Sequence, residues 1–227
     1  MMNSLEKLLS KLSEGTISIL DAEIPFESYT KLDLSVTNTS LKNYIITEPD
    51  DCQKYIDSVL KMNKALVAYG GYLEKRGLYA DKSNFSGNSE ALRNIHLGID
   101  YWSKAHTSVL APLDGIVHSF KNNNSIGDYG PTIILSHTIG DLSFYTLYGH
   151  LSIKSISGLK IGEKVFKGSV IGYLGTPDIN VNYAPHLHFQ IIKDLGDYFG
   201  DYPGVCTLKD LEYYADNCPN PNLLIKI

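Results

Sequence analysis

Helical periodicity marks two segments in the first part of the chain. Apolar residues recur at helical spacing over residues 4–13 and again in a longer stretch that begins at Pro49 and Asp50. The apolar positions of the two segments are Leu5, Leu8, Leu9 and Leu12, followed by Tyr55, Ile56, Val59, Leu60 and Met62. Each pattern predicts a helix that packs one face against a core.

The segments around these helices follow other patterns. Residues 26–48 are irregular and strand-like, and Ala65–Tyr72 predicts a strand that ends at the pair Gly70-Gly71. The polar stretch 81–91 predicts a loop.

From residue 94 to residue 193 the pattern changes to short strands separated by glycine and turn residues. The clearest half-buried strands are Ile116–Phe120, Thr132–Ser136, Phe144–Tyr148 and Ser169–Tyr173. So many short strands at close spacing predict a mainly β fold, α+β overall, with an antiparallel sheet, a sandwich or an open barrel.

Three segments follow from these patterns. Residues 1–91 are an N-terminal extension with one clear helix, residues 92–195 form the β-rich domain, and residues 196–227 form a C-terminal tail. The tail is rich in Asp, Tyr, Pro and Asn and has a short predicted helix near 207–215. We expect it to pack over one edge of the sheet.

Composition limits the classes of partner. The chain has 227 residues, 43% of them hydrophobic, which is enough for a sizeable core. Its 20 Lys and Arg against 25 Asp and Glu give a net charge of −5, and no basic run is present. We therefore expect no nucleic-acid partner. No apolar run reaches transmembrane length, so no membrane partner is expected either. No feature of the sequence sets an oligomeric state.

Charged residues interrupt the apolar N-terminal stretch 1–20, so no signal-peptide core is visible. This favours a cytoplasmic protein, with the alternative of an exported protein whose signal has been removed. Three cysteines, Cys52, Cys206 and Cys218, are an odd number without a CxxC pair. They predict buried, inert thiols rather than a disulfide framework.

Candidate chemistry is concentrated in the histidines. In PHLHF, His186 and His188 are two apart, so in a strand they point to the same face, about 6.6 Å apart along the chain. One can bind a metal while its neighbour contacts the reacting water. Two polar residues on a solvated strand face explain an isolated HxH pair equally well.

HLGID places His96 and Asp100 four apart. In an extended strand they would lie about 13 Å apart, too far to share a metal, and Gly98 and Ile99 argue against a helix. The chain must therefore bend between them, which Gly98 permits. A set of His, Asp and His matches the nitrogen and oxygen ligands that zinc accepts.

His150 follows an aromatic strand in FYTLYGHL, where Gly149 allows a tight turn. A turn histidine bonded to a backbone carbonyl is the alternative for this residue taken alone. Of the remaining histidines, His106, His118 and His137, the last two lie at predicted strand ends and are expected to be structural.

Taken together, these motifs resemble the lysostaphin/LytM-type zinc metalloendopeptidases. The motifs occur in the same order over residues 92–193: HLGID, APLDGIV, YGHL, LKIGEKVFKGSVIGYLG and PHLHF. The resemblance implies the lysostaphin-like (duplicated hybrid motif) fold and a Zn²⁺ cofactor. It also implies that His96, Asp100 and His188 are the metal ligands and that His150 and His186 are the catalytic pair.

Further matches are similar to a subgroup of this family that is often fused to an aminotransferase. They are GGYLEKRGLY (70–79), DYGPTIILSH (128–137) and PNPNLL (219–224). The first of them offers Arg76 and Tyr79 as candidate substrate-binding residues, because an arginine can hold a carboxylate bidentately. An ordinary loop with a surface ion pair is the alternative there.

The implied reaction is hydrolysis of a peptide or amide bond. Zinc polarises the carbonyl and lowers the pKa of water towards about 7, and His150 and His186 share the proton transfers. The resemblance favours short peptides that contain glycine or D-alanine, such as peptidoglycan cross-bridges. The lack of a visible signal instead favours a cytosolic peptide or small amide.

Two other classes remain open. LKIGEKVFKGSVIG is also similar to lipoyl and biotinyl carrier domains, which modify a lysine on an exposed hairpin. A degenerate domain that binds zinc or peptide without turnover is the third alternative. GxGxxG, HExxH, GxSxG and P-loop patterns are absent from the sequence, so neither a nucleotide site nor a serine hydrolase is indicated.

Overall fold

A computed structural model describes residues 2–77, 92–125, 127–180 and 182–227. The strands are β1 (Tyr29–Lys31), β2 (Val67–Gly70), β3 (Ile95–His96), β4 (Ile99–Trp102), β5 (Ser108–Leu110), β6 (Gly115–Asn123), β7 (Gly130–Ile139), β8 (Leu142–Gly149), β9 (Lys164–Val165), β10 (Val170–Tyr173), β11 (His186–Ile192) and β12 (Val205–Cys206). The helices are α1 (Ser4–Leu9), α2 (Pro49–Asn63), α3 (Ile153–Ile156), α4 (Leu211–Asn217) and α5 (Asn222–Ile225), with 3₁₀ turns at Phe26–Ser28 and Thr39–Asn43.

The main sheet has eight strands in the order β1-β2-β4-β11-β8-β7-β6-β9. β1 and β2 pair in parallel, and the other neighbours are antiparallel. Two smaller antiparallel pairs, β10 with β5 and β12 with β3, complete the β structure of the described residues. The predicted mainly β, antiparallel fold is confirmed, and within these residues the main sheet is open rather than closed into a barrel.

The central strand β11 brings the predicted motifs together. All seven of its residues are buried, and it pairs with β4 on one side and β8 on the other. His188 lies opposite Asp100 on β4 and opposite Gly149 on β8. His186 lies opposite Trp102. Three motifs that are far apart in sequence therefore meet on adjacent strands.

The two predicted N-terminal helices are present: α2 begins at Pro49, as predicted, whereas α1 is shorter than the predicted 4–13. α1 ends at Leu9. The Glu6 backbone amide donates to the Asn3 side chain, and the Asn3 backbone amide donates to the Glu6 carboxylate, which is a capping box. α2 ends where Lys64 adopts a left-handed conformation. It buries Tyr55 and Ile56, whereas Met62 is exposed, so the stripe predicted for this helix does not extend to its last turn.

Other predicted segments differ in detail. The strand predicted at Ala65–Tyr72 is β2, residues 26–48 hold only the short β1 and two 3₁₀ turns, and the tail helix is α4. The loop predicted at 81–91 lies outside the described residues. β9 and β10 pair with β6 and β5 and not with each other. The segment that is similar to carrier domains therefore does not form their lysine-bearing hairpin.

The main apolar core takes side chains from all three predicted segments. Leu9 of α1 and Leu224 of α5 are fully buried in it together with Phe189 of β11. The tail also adds β12 to β3, so it pairs with a strand outside the main sheet in addition to packing into the core. The domain boundaries remain a prediction.

The three cysteines are buried and free, as the sequence predicts. Among the described residues, no helix combines the length and the apolar character needed to cross a membrane.

Candidate metal centre

Three buried side chains direct one ligand atom each to a common point. Nε2 of His96 lies 2.9 Å from Nδ1 of His188, and Oδ1 of Asp100 lies 3.2 Å and 3.0 Å from these two nitrogens. A tetrahedral zinc ion with ligands at 2.0–2.1 Å separates its ligand atoms by about 3.3 Å. The side chains of His96, Asp100 and His188, which we call the ligand cluster, thus fit a zinc-sized ion in spacing and in chemistry.

A bend at Gly98 allows His96 and Asp100 to converge, as the sequence predicts. His96 ends β3, which pairs with β12, whereas Asp100 lies in β4 of the main sheet. The glycine is also needed for a second reason. A Cβ at position 98 would lie 2.6 Å from the Phe189 carbonyl oxygen and 2.8 Å from His188 Nε2.

Hydrogen bonds behind the cluster set the tautomers of both histidines. His96 Nδ1 lies 2.9 Å from the Gly71 carbonyl oxygen and can only donate to it. His188 Nε2 lies 2.9 Å from Gln190 Oε1, and the Gln190 amide nitrogen donates to the Pro203 carbonyl. Each imidazole therefore directs an unprotonated nitrogen to the common point, as metal-bound histidines do.

The other oxygen of Asp100 accepts a hydrogen bond from Arg76. Arg76 Nη1 lies 2.5 Å from Asp100 Oδ2, and Arg76 Nε lies 2.6 Å from Glu74 Oε2. The Arg76 side chain is fully buried, so it forms no surface ion pair. It lies behind the ligand cluster and not on the pocket wall, where a substrate-binding role requires it. Tyr79 lies outside the described residues.

Burial and these charges keep His96 and Asp100 in the form that binds metal. Burial, with a further contribution from Arg76, lowers the pKa of His96 to about 4. Burial alone would raise the pKa of Asp100, but His96 and Arg76 hold it well below its usual range. At neutral pH, His96 is therefore neutral and Asp100 is ionised, which is the protonation state that metal ligation needs.

A second pair of histidines lies beside the cluster. The rings of His150 and His186 have centroids 4.1 Å apart and are tilted by 37°. His186 Nδ1 lies 2.7 Å from the Ala184 carbonyl oxygen, to which it donates, so its Nε2 is unprotonated in the neutral ring. Trp102 stacks on His186 at 5.6 Å and 20°.

His150 itself has the left-handed backbone at this turn, with φ 63°. The sequence suggested that Gly149 supplies the turn; instead Gly149 leaves room for Tyr129, whose Cδ1 would lie 2.7 Å from a Cβ there. The backbone of His150 donates to the Tyr129 carbonyl and accepts from the Gly175 amide. Such strain costs about 1 kcal/mol or more, and it is held here by bonds on both sides of the residue.

The pair is also held neutral. Burial lowers the pKa of His186, and burial together with the neighbouring His186 and His188 lowers the pKa of His150 well below its usual value. Among the described residues, Nδ1 of His150 has no hydrogen-bond partner at standard geometry, and neither has Oδ1 of the nearby Asn180. The Asn180 side chain nevertheless favours the protonated form of His150. The two imidazoles are therefore bases at neutral pH.

Both histidine groups line one cavity of about 330 Å³, within the usual range for small-ligand sites. Its other walls include Arg93, Asp128, Tyr129, Tyr183 and Tyr198. The Tyr129 hydroxyl lies 3.4 Å from His188 Nε2.

Sequence reasoning missed Gln190, Trp102, Tyr129 and Asn180 at this site. Two of them were detectable. Gln190 continues the alternation of His186 and His188 on the same strand face. Trp102 also shares its face of β4 with Asp100. Tyr129 and Asn180 lie in loops or at strand ends, and no spacing rule connects them to the histidines.

The remaining histidines lie outside the cavity. His137 is buried and hydrogen-bonds the Asp114 carbonyl and the Thr146 hydroxyl, as expected of a structural residue. His118 is within β6 rather than at its end, beside Tyr145.

Comparison with known proteins identifies the central part of the chain. Residues 94–198 match peptidase family M23. An uncharacterized metalloprotease of Haemophilus influenzae is 36% identical over 95 residues, which are 42% of this chain and 18% of that protein. The chain thus corresponds to less than a fifth of the length of this relative.

Solved structures show a similar likeness. A mutant of the catalytic domain of the prophage-encoded M23 protein EnpA from Enterococcus faecalis is 23% identical, with a TM-score of 0.41 over 67% of this chain and 86% of that one. The catalytic domain of lysostaphin from Staphylococcus simulans is 20% identical, with a TM-score of 0.38 over 64% and 87% of the two chains. The resemblance predicted from the sequence is confirmed for residues 94–198, whereas the aminotransferase-linked subgroup remains a prediction.

Proposed function

Because residues 94–198 match peptidase family M23, we propose that this protein is a zinc-dependent metallopeptidase that hydrolyses a peptide or amide bond. The observation that carries the proposal is the convergence of three ligand atoms, at 2.9–3.2 Å from one another, beside a second pair of neutral imidazoles. A binding module without chemistry has no need for that second pair.

The ligand cluster would hold the ion. A bound zinc ion supplies a Lewis acid for the scissile carbonyl and lowers the pKa of water. Asp100 adds one negative charge to the imidazoles of His96 and His188, so the set would bind a divalent cation without neutralising it.

His150 and His186 would move the protons. As neutral bases they can accept a proton from the attacking water, and once charged they can protonate the leaving amine or stabilise the oxyanion. The Ala184 carbonyl fixes the tautomer of His186, so its Nε2 is the atom that accepts the proton. Tyr129, Tyr183 and Tyr198 line the cavity and limit the volume that a substrate could occupy.

We propose short peptides that contain glycine or D-alanine as the substrate class. The cavity volume fits a few residues of an extended peptide. A small cytosolic amide is the alternative, and the cytoplasmic location stays a prediction.

Product analysis by mass spectrometry tests the proposal. Zinc-loaded protein is incubated with a muropeptide mixture and with short glycine- and D-alanine-containing peptides, in parallel with His150→Ala and His118→Ala. We expect cleavage by the wild type and by His118→Ala, whose side chain lies outside the cavity. His150→Ala should bind zinc as the wild type does and cleave nothing.

Each other outcome is informative. If folded, zinc-bound wild type cleaves no peptide, the peptidase proposal is wrong, and a small-amide hydrolase or a binding role takes its place. If His150→Ala is folded but has lost zinc, His150 is a ligand instead of a proton carrier.

A further inference from the structure

The segment Gly70–Gly77 passes directly behind the ligand cluster. Gly70 pairs with Asp100 across β2 and β4, and the Gly71 carbonyl accepts the hydrogen bond of His96. A Cβ at Gly71 would collide with the Arg76 guanidinium and lie 3.0 Å from His96 Nδ1. Gly71 also has φ +104°, which L side chains rarely adopt. The segment is thus shaped so that Arg76 can reach Asp100.

Arg76 connects two carboxylates in the interior. Its guanidinium contacts Asp100 on one side and Glu74 on the other, and Glu74 Oε1 accepts from the Leu34 amide. Arg76 donates a hydrogen bond to Oδ2 of Asp100. This contact fixes the orientation of the carboxylate, so that Oδ1 points towards the ligand nitrogens of His96 and His188.

Arg76 also contacts the second histidine pair through one residue. Its Cζ lies 5.5 Å from the ring centroid of Trp102, a distance typical of cation–π contacts, and Trp102 stacks on His186. These side chains are all nearly inaccessible to solvent. The Arg76 guanidinium therefore contacts Asp100 directly, and it contacts His186 indirectly through the indole of Trp102.

We propose that Glu74 and Arg76 are positioning residues of the site, with Arg76 orienting Asp100 for metal binding and, through Trp102, holding the ring of His186. The proposal rests on the proposed function. It replaces the substrate-binding role that the sequence suggested for Arg76, because a fully buried guanidinium between two carboxylates has no face towards the cavity.

Zinc affinity, measured by competition with a chromophoric chelator, tests the first contact without any assay of activity. Loss of a partner behind a metal ligand typically weakens binding by about 10–100-fold. We expect Arg76→Met to weaken zinc binding by about tenfold or more, and Arg76→Lys to recover part of this loss. Glu74→Gln, which keeps an acceptor for Leu34, should give a smaller loss in the same direction.

The control is His137→Gln, a change to a buried polar residue that does not line the cavity. It should lower Tm and leave the zinc affinity within twofold of the wild type, which separates positioning from general destabilisation. If Arg76→Met does not fold, Arg76→Lys and Glu74→Gln still decide. Wild-type zinc affinity in every folded variant would overturn the proposal.

Steady-state kinetics test the second contact. Trp102→Leu should lower kcat about tenfold with KM and zinc affinity near wild type, and Trp102→Phe, which keeps an aromatic face, should retain most of kcat. An unchanged kcat in Trp102→Leu would overturn this part. A wild type that binds no zinc refutes the proposed function itself, whereas wild-type zinc binding with unaffected variants refutes only the positioning roles.

Discussion

At the scale of single residues, glycines shape the site as much as the ligands do. Gly98 has no unusual φ, yet no other residue fits, because the space of a side chain is filled by His188 and by the Phe189 carbonyl. Gly98 is not a ligand itself, but it thus sets the distance between His96 on β3 and the two ligands on the main sheet, Asp100 and His188.

We therefore expect Gly98→Ala to displace His188 and weaken zinc binding by about tenfold or more, as other disturbances behind metal ligands do. Gly15→Ala is the matched control, since a Cβ there meets nothing within 4 Å. Chelator competition measures both variants. Equal affinities in the two variants would show that the β3–β4 bend can relax around a methyl group.

Individual residues also show which parts of the site could be predicted from the sequence alone. His186 and His188 were predictable as a pair, because strand periodicity alone places them on one face, and the bend at Gly98 followed from the distance that a metal allows. Arg76 was not, because its charge suggested an exposed role, and its burial depends on Gly71 and on the pairing of β2 with β4. For His150, a turn after the aromatic strand was predicted. The left-handed backbone was expected at Gly149 and is found at His150 itself.

At the scale of elements, the strand order explains why motifs so far apart converge. β11 lies between β4 and β8, so the registers of two antiparallel pairs place His188 beside Asp100 and close to the turn that holds His150. Short strands with glycine punctuation predicted this type of sheet. They could not predict its order, because pairing partners are set by packing of the whole sheet and not by local pattern.

The terminal helices are a second case at this scale. α1 and α5 contact each other and bury Leu9 and Leu224 in the same core as β11. Leu9→Ala should therefore lower the free energy of unfolding by about 2–5 kcal/mol, the usual cost of a large-to-small change in a core. The exposed Leu208 is the control, and Leu208→Ala should stay within about 0.5 kcal/mol.

Chemical denaturation of the zinc-loaded protein measures both changes. A single transition that shifts as a whole would show that the extension folds with the β domain. A separate early transition for Leu9→Ala, with the zinc-binding part unaffected, would show instead that residues before β3 unfold independently.

At the scale of the whole molecule, the buried histidines couple stability to pH. Burial lowers the pKa of His96, His137, His150 and His186 relative to the ordinary value of about 6.5. Between that value and the pKa of about 4 for His96, the unfolded chain binds more protons than the folded protein. The free energy of unfolding therefore falls as the pH is lowered through this window and is highest above it.

Metal removal should make this dependence visible. Without zinc, we expect Tm to decrease steadily from pH 7.5 to pH 4.5. Zinc should raise Tm at pH 7.5, because it binds only the folded state, and this gain should be lost only between about pH 4.5 and about pH 3, where a proton occupies the ligand nitrogen of His96, whose pKa is about 4. Thermal scans with and without zinc from pH 7.5 to about pH 3 measure both effects.

A metal-free Tm that does not change with pH would mean that these histidines are charged or solvated in the folded protein. That result would also remove the basis for treating His150 and His186 as neutral bases. A zinc-induced gain that is equal at pH 7.5 and at about pH 3 would instead place the ion on ligands other than His96.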